Sequence, residues 1–312
     1  MAIPRRAQSA FLGAGLGVLT LALTWYAAHE IAWLRRVDVN ILLGFQALNR
    51  PRVDWIAQAF VWLCDPSHYV VLVALPVVIA LVRGRRRLAV AALALLVGAN
   101  LTTEFLKPLA AGARDHVTDP WISLTNATWP SGHTTAAMSL AFALIICVPG
   151  RWRPVVSALM ALFVVGVVYS LLTLGVHYPS DVVGGFEVAT TWTLLVLGAL
   201  WTYEAHRPGL AARPASTDAR FSLAQGMLPP LAALLATLAA AAVVLGQRPH
   251  AAVGYAGSHA AFITAACALV VLSFGCATGL SLVLRRPPGP RSGSGPAPTA
   301  ARRSLPGRSL PG

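Results

Sequence analysis

Three short polar clusters interrupt an otherwise strongly apolar chain, and each carries residue types suited to handling a phosphate. The first is Lys107-Pro-Leu-Ala-Ala-Gly-Ala-Arg114, whose lysine is the only one in a sequence that otherwise uses arginine for every basic position. Two cations seven positions apart can clamp an anion, although a lysine at the end of an apolar helix can also simply reach for the membrane surface. The second is Trp129-Pro-Ser-Gly-His133-Thr-Thr, a tight turn that opens an apolar run. The free N–H groups and positive dipole end of the helix it starts favour an anion. Ser131 and the bare Gly132 let main-chain N–H groups come close to phosphate oxygens. The same residues also suit an ordinary capped turn, with a serine or threonine at the N-cap. The third is His177-Tyr-Pro-Ser-Asp181. Histidine and aspartate four apart can meet on one helical face. A carboxylate on one imidazole nitrogen fixes the tautomer and leaves the other free to attack. Alternatively, Asp181 is a simple helix cap beside an unrelated histidine. Together the clusters supply a cationic clamp, an anion-binding turn and a His–Asp nucleophile pair, the parts of a phosphoryl-transfer site.

The elements that must position these groups are membrane helices. The chain has 312 residues, 56% hydrophobic and only 11% charged, with a mean hydropathy of +0.66. Soluble proteins carry about 25% charged residues, and so much apolar surface excludes disorder for most of the chain. A span needs roughly 20 apolar residues. Candidate runs are 9–28, 69–83, 88–106, 134–149, 155–176, 182–202, 228–246 and 260–284, of which the second and fourth are short. The first follows Arg5 and Arg6 like a signal peptide, but no small-residue cleavage site follows, so it reads as an uncleaved anchor.

Charge placement tests this count. With eight spans and both termini in the cytoplasm, the inner segments carry 17 basic residues and the outer ones 7. That is the positive-inside pattern, so the formal charge of +13 reports topology rather than nucleic-acid binding. All three polar clusters then fall on the outer side. The four cysteines have no CxxC spacing and read as small buried hydrophobes, without a disulfide framework or zinc site.

The expected fold class is all-α, a polytopic membrane bundle of about eight spans: a six-helix core plus a C-terminal two-span extension. Residues 1–68 hold the first span and an outer segment whose aromatic stretch 53–63 lies at the interface or packs on the bundle. The core covers 69–205, a cytoplasmic loop 206–227, and a two-span hairpin 228–284. The tail 285–312, rich in Pro, Gly, Ser and Arg, cannot bury a core and is expected to be disordered near anionic lipid.

Over roughly residues 45–202 the chain resembles the type 2 phosphatidic acid phosphatase and vanadium haloperoxidase superfamily. The family's three motifs are Lys-x6-Arg-Pro, Pro-Ser-Gly-His and Ser-Arg-x5-His-x3-Asp. They appear here as Lys107 to Arg114, as Pro130-Ser131-Gly132-His133, and as Ser170 with His177 and Asp181. Two positions depart from the pattern. Asp115 stands in place of proline, and Leu171 in place of the third motif's arginine. Losing one donor aimed at transition-state charge typically costs about 10²–10³ in rate. His116 is the nearest residue in sequence that could compensate.

The resemblance implies a metal-independent phosphohistidine mechanism with no cofactor. In it His177 is the nucleophile, Asp181 its orienting partner and His133 the general acid and base. Lys107, Arg114, Ser131 and the Gly132 backbone hold the phosphoryl oxygens. The implied function is an integral-membrane lipid phosphate or diphosphate phosphatase acting at the outer face of the plasma or inner membrane. Its substrate is a lipid of the bilayer such as phosphatidate, phosphatidylglycerol phosphate or a polyprenyl diphosphate, and nucleic acid has no part. The alternatives are a catalytically weakened member that binds lipid phosphates, suggested by Leu171, and a phosphotransferase using an acceptor other than water. The other outer histidines, His29, His68, His116, His250 and His259, are expected in surface or interface roles.

Overall fold

A computed structural model describes residues 3–49, 51–112, 127–206, 222–246, 254–257 and 259–285. Arg114, Asp115, His116 and His250, most of the 206–227 loop and the tail from 286 lie outside the described residues. The principal helices are α1 (Arg5–Glu30), α2 (Ala32–Gln46), α3 (Pro51–Cys64), α4 (Pro66–Val82), α5 (Arg86–Leu109), α6 (Gly132–Cys147), α7 (Arg153–Thr173), α8 (Pro179–His206), α9 (Leu223–Gly246) and α10 (Ala260–Val283). No strand occurs among the described residues. The protein is an all-α, polytopic integral-membrane bundle.

Among the described residues six helices, α1, α5, α7, α8, α9 and α10, are long and apolar enough to cross a bilayer, and α3 with α4 forms a further pair bent by 63°. The two short apolar runs thus have different explanations. The run at 69–83 is α4, extended by α3 across the bend. The run at 134–149 is α6, a 16-residue helix in which every residue from Thr134 to Cys147 is buried. A helix apolar on all sides belongs at the centre of a bundle, and α4, α5, α7, α8 and α10 surround it.

Local sequence explains where the helices start and stop. Proline occupies the first turn of α4, α7 and α8, where its missing N–H costs nothing. Gly84 and Gly175 take left-handed conformations, φ 66° and 68°, in the turns that end α4 and α7. At the second turn Val176 N donates to Leu171 O at 3.1 Å and Gly175 N to Leu172 O at 3.2 Å, the paired bonds of a Schellman cap. This cap aims the chain from α7 toward His177.

Helices α1 and α8 form the most extensive pair and run antiparallel. A Cβ on Gly17 would lie 2.3 Å from Thr191 Oγ1, and one on Gly13 3.1 Å from Leu194. This is the small-residue close approach typical of membrane helices. Thr24 of α1 adds a hydrogen bond to Glu187 of α8 at 2.9 Å.

The segment after α1 forms two helices, α2 and α3. In α2, Asp38, Leu42 and Phe45 share a buried face at helical spacing. The aromatic stretch 53–63 packs on α7, with Phe60 against Gly166, while Trp55 and Trp62 stay exposed. The last two helices also dock on α7, where Tyr169 donates to Ala266 O at 2.7 Å. Of the cysteines, Cys64 and Cys147 are buried and Cys276 half-buried, as expected. Cys267 is exposed on the outer flank of α10, which corrects its reading as a buried hydrophobe.

Candidate active site

The site forms where the C-terminus of α5, the N-termini of α6 and α8 and the α3–α4 bend meet. Asp181, in the first turn of α8, has no solvent exposure. Its Oδ2 lies 3.3 Å from His177 Nδ1 and accepts a bond from Tyr178 N at 3.0 Å. The carboxylate therefore closes the turn that carries the histidine and also orients the ring. With Nδ1 facing Asp181, Nε2 is the nitrogen available for attack.

His133 stands in the first turn of α6, its ring centroid 6.4 Å from that of His177. The two histidine-bearing segments are joined main chain to main chain, since Ser131 N donates to Asp181 O at 2.9 Å. Close packing requires two glycines of α8. A Cβ on Gly185 would sit 2.9 Å from Ser131 O, and one on Gly184 2.8 Å from Trp129 Nε1.

Ser131 is the N-cap of α6, its Oγ accepting from Thr134 N at 3.3 Å and from Thr134 Oγ1 at 3.1 Å. The capped-turn reading of Pro-Ser-Gly-His therefore describes its serine. The anion-binding reading falls to the Gly132 and His133 amides, which find no acceptor among the described residues. Such amides at a helix start favour a negative ligand.

Lys107 reaches this point. Its Nζ lies 3.2 Å from where a Cβ on Gly132 would be. Any larger residue at position 132 would push against the ammonium group. Lys107 also donates to Glu104 Oε1 at 2.6 Å. The carboxylate is mostly exposed, so it offsets the cation in a way that an incoming phosphate could replace.

Two functional candidates escaped sequence reasoning. Asp65, at the α3–α4 bend, holds His133 Nε2 at 3.1 Å. Asp38 of α2 accepts from Ser180 N at 3.0 Å and from Ser180 Oγ at 2.5 Å, anchoring the start of α8. Neither belongs to a motif, and the second contact spans 142 residues of sequence. The only available signal for Asp38 was its spacing with Leu42 and Phe45.

Lys107, Ser131, Gly132, His133, His177 and Asp181 converge, whereas Ser170 does not join them. Its hydroxyl bonds to Gly166 O at 2.7 Å, and it lines a cavity of about 270 Å³ between α3 and α7. Leu171 is fully buried in the apolar core. Among the remaining histidines, His29 stacks on Trp25 and contacts Trp129 edge-on, His68 packs on Trp62, and His259 stacks on Tyr255. These are interface roles. Among the described residues no three His, Cys, Asp or Glu side chains gather into a metal-ligand set.

Part of the chain is similar to known proteins. Residues 88–205 match the PAP2 superfamily. Among solved structures, the chain is similar to the first transmembrane PAP2 type phosphatidylglycerolphosphate phosphatase from Bacillus subtilis. The match has 21% identity and a TM-score of 0.51, and covers 60% of this chain and 94% of that one. At that identity the likeness speaks to the fold. No curated protein matches the sequence.

Proposed function

We propose, from the match of residues 88–205 to the PAP2 superfamily and the paired histidines beside it, that the protein is a membrane lipid phosphatase working through a phosphohistidine. The observation that carries this reading is the pairing of His177–Asp181 with His133 across a shared main-chain bond. His177 Nε2 attacks phosphorus as the bond to the leaving oxygen breaks, and the leaving oxygen takes a proton from His133. Water then attacks the phosphohistidine, giving its proton to His133 and returning His177 to its neutral form. Asp181 holds the ring and stabilises its positive charge in the intermediate. Asp65 orients His133 for both proton transfers.

The phosphoryl oxygens lie against Lys107, the Gly132 and His133 amides and, from the first motif, Arg114. Ser131 shapes this pocket as the cap of α6, with its own hydroxyl proton as a further donor. Fixed cations and dipoles at a largely dissociative transition state supply most of the catalysis. No step requires a metal.

The substrate class is a lipid phosphate or diphosphate: phosphatidate, phosphatidylglycerol phosphate or a polyprenyl diphosphate. The position of the site at helix ends supports this, because a headgroup phosphate arrives there with its tail still among helices. Outer-face orientation is supported by the arginine-rich turns. Arg83, Arg85, Arg153 and Arg285 all lie at the end of the bundle away from His177. Leu171 favours a second reading, a weakened member that binds lipid phosphates, because that position offers no cation to the site.

The test is phosphate release by the purified protein in detergent from the three lipids, with chelator present and His177→Ala as control. Release that survives chelator and disappears in the variant is expected. Equal release by wild type and variant would sink the covalent mechanism, and no release from any lipid would favour the second reading.

A further inference from the structure

Glu187 is an ionisable residue in the body of a membrane helix, about two turns into α8. Such residues are expensive in a bilayer and are kept where they have a function. Half of its carboxyl group is accounted for, since Oε1 accepts from Thr24 of α1 at 2.9 Å. Oε2 is buried and has no hydrogen-bond partner among the described residues. The same holds for a second buried polar atom, the indole Nε1 of Trp129, a residue that is 4% exposed. One atom is an acceptor and the other a donor. Buried polar groups in folded proteins are rarely left unsatisfied. Cohesion between α1 and α8 explains the bond to Thr24, but neither of these two atoms.

Both atoms lie where α8 meets α1. The contacts Gly13–Leu194, Gly17–Thr191 and Thr24–Glu187 step along the two helices toward the start of α8. Gly184 lies one turn beyond Glu187 in that direction, and a Cβ there would sit 2.8 Å from Trp129 Nε1. Residues three apart on a helix have Cβ atoms about 5–6 Å apart. Helical side chains lean toward the N-terminus, which carries the Glu187 carboxyl toward Trp129. The remaining gap is too long for a direct bond, and one water spans such a gap. The indole N–H donates to that water, and the water donates to Oε2. The indole also belongs to the turn that builds the candidate site. Trp129 directly precedes Pro130-Ser131-Gly132-His133, and His29 of α1 packs on it edge-on. A displaced indole therefore displaces the main chain of that turn.

We propose that Glu187 is a positioning residue: it holds Trp129 through one buried water and thereby fixes the Gly132 and His133 amides against the phosphoryl group. It acts on the turn from the α1 side of α8 and belongs to none of the three motifs. The effect on turnover rests on the phosphatase reading, whereas the bridge between the two side chains does not. A shift of the turn near 1 Å is enough to matter, because misplacement on that scale costs about 10² in rate.

The test is nuclear magnetic resonance of the full-length protein in detergent, with nitrogen-15 in its tryptophans. The Trp129 indole resonance is the one lost in Trp129→Phe. Its proton is expected to exchange slowly with deuterated water in wild type and in Glu187→Gln, which keeps an acceptor. In Glu187→Leu, which fills the space without one, exchange should be about tenfold faster, the equivalent of one hydrogen bond. The same leucine variant should lose about tenfold in kcat for phosphate release and about tenfold in affinity for orthovanadate, a phosphate analogue that needs no turnover. Both should stay near wild type in Glu187→Gln, and Tm should not fall in either variant. Trp129→Phe should lose as much, and adding Glu187→Leu to it should lose no more. An unchanged indole signal in Glu187→Leu overturns the bridge, whether or not the protein is a phosphatase. A changed signal with unchanged kcat and vanadate affinity overturns the positioning role, as do additive losses in the double variant. Wild type that neither releases phosphate nor binds vanadate overturns the phosphatase reading and the positioning role with it, while the indole signal still decides the bridge.

Discussion

Asp65 belongs to no motif yet holds His133, whereas Leu171 stands at a motif position yet lies in the apolar core. In the proposed mechanism Asp65 acts through His133, and general acid–base catalysis is worth about 10²–10⁴ in rate. Asp65→Asn removes the charge and keeps the shape, so turnover is expected to fall by about 10-fold with thermal stability unchanged. Equal turnover would mean that His133 is oriented by something else. Glu104→Gln is expected to lower KM for a phosphate ester severalfold, because Lys107 loses its 2.6 Å partner, while kcat stays nearly constant. For Leu171, sequence reasoning suggests restoring the family's arginine. The residue has 0% exposure and packs in the apolar core. An unpaired guanidinium there costs about 3 kcal/mol or more. Leu171→Arg is therefore expected to lower Tm in detergent without raising turnover. A gain in turnover at unchanged Tm would show that the new side chain reaches the phosphate.

Helices set the precision of this site through the contacts their glycines permit. The α6 N-terminus lies directly on α8, and a methyl group on Gly185 would meet Thr134 Cβ at 2.8 Å and Ser131 O at 2.9 Å. Overpacking of this kind costs about 1–3 kcal/mol. A shift near 1 Å at a reacting group costs about 10² in rate. Gly185→Ala should thus lower turnover far more than stability, which paired activity and thermal-unfolding measurements will show.

Much at this scale was legible in the sequence. Apolar runs located the membrane helices within a few residues, and the i, i+4 spacing of His177 and Asp181 foretold their contact. The bend at Asp65 was not legible, because the 63° angle between α3 and α4 depends on how α3 packs against α7. Nor was α2, whose arginines and asparagine mask a narrow buried face. Ser131 shows the limit of motif reading. Its position was foreseen, but which of two roles its hydroxyl takes depends on Thr134 and on the main-chain bond to Asp181.

Across the whole molecule, chemistry and charge separate to opposite ends. The phosphate site gathers the C-terminus of α5 and the N-termini of α6 and α8. Arg6, Arg83, Arg85, Arg153 and Arg285 gather at the other end, around the starts of α1 and α7 and the ends of α4 and α10. If the phosphate site faces outward, a cysteine at exposed Ser67 reacts with an impermeant maleimide in intact cells. One at half-exposed Trp152 reacts only after permeabilisation, both in a chain whose four native cysteines are replaced by alanine. The reverse pattern would invert the topology.

Depth follows from the length of the central helix. The 16 residues of α6, at 1.5 Å each, extend about 24 Å, less than the roughly 30 Å of hydrocarbon they sit within. Were such a helix centred in that layer, it would begin below the surface and carry His133 with it. On the proposed function, a headgroup phosphate would then enter by sinking, still attached to chains already at that level. A water-soluble phosphate ester would have to descend without that attachment, so the shortness of one buried helix would act as a filter on what the two histidines ever meet.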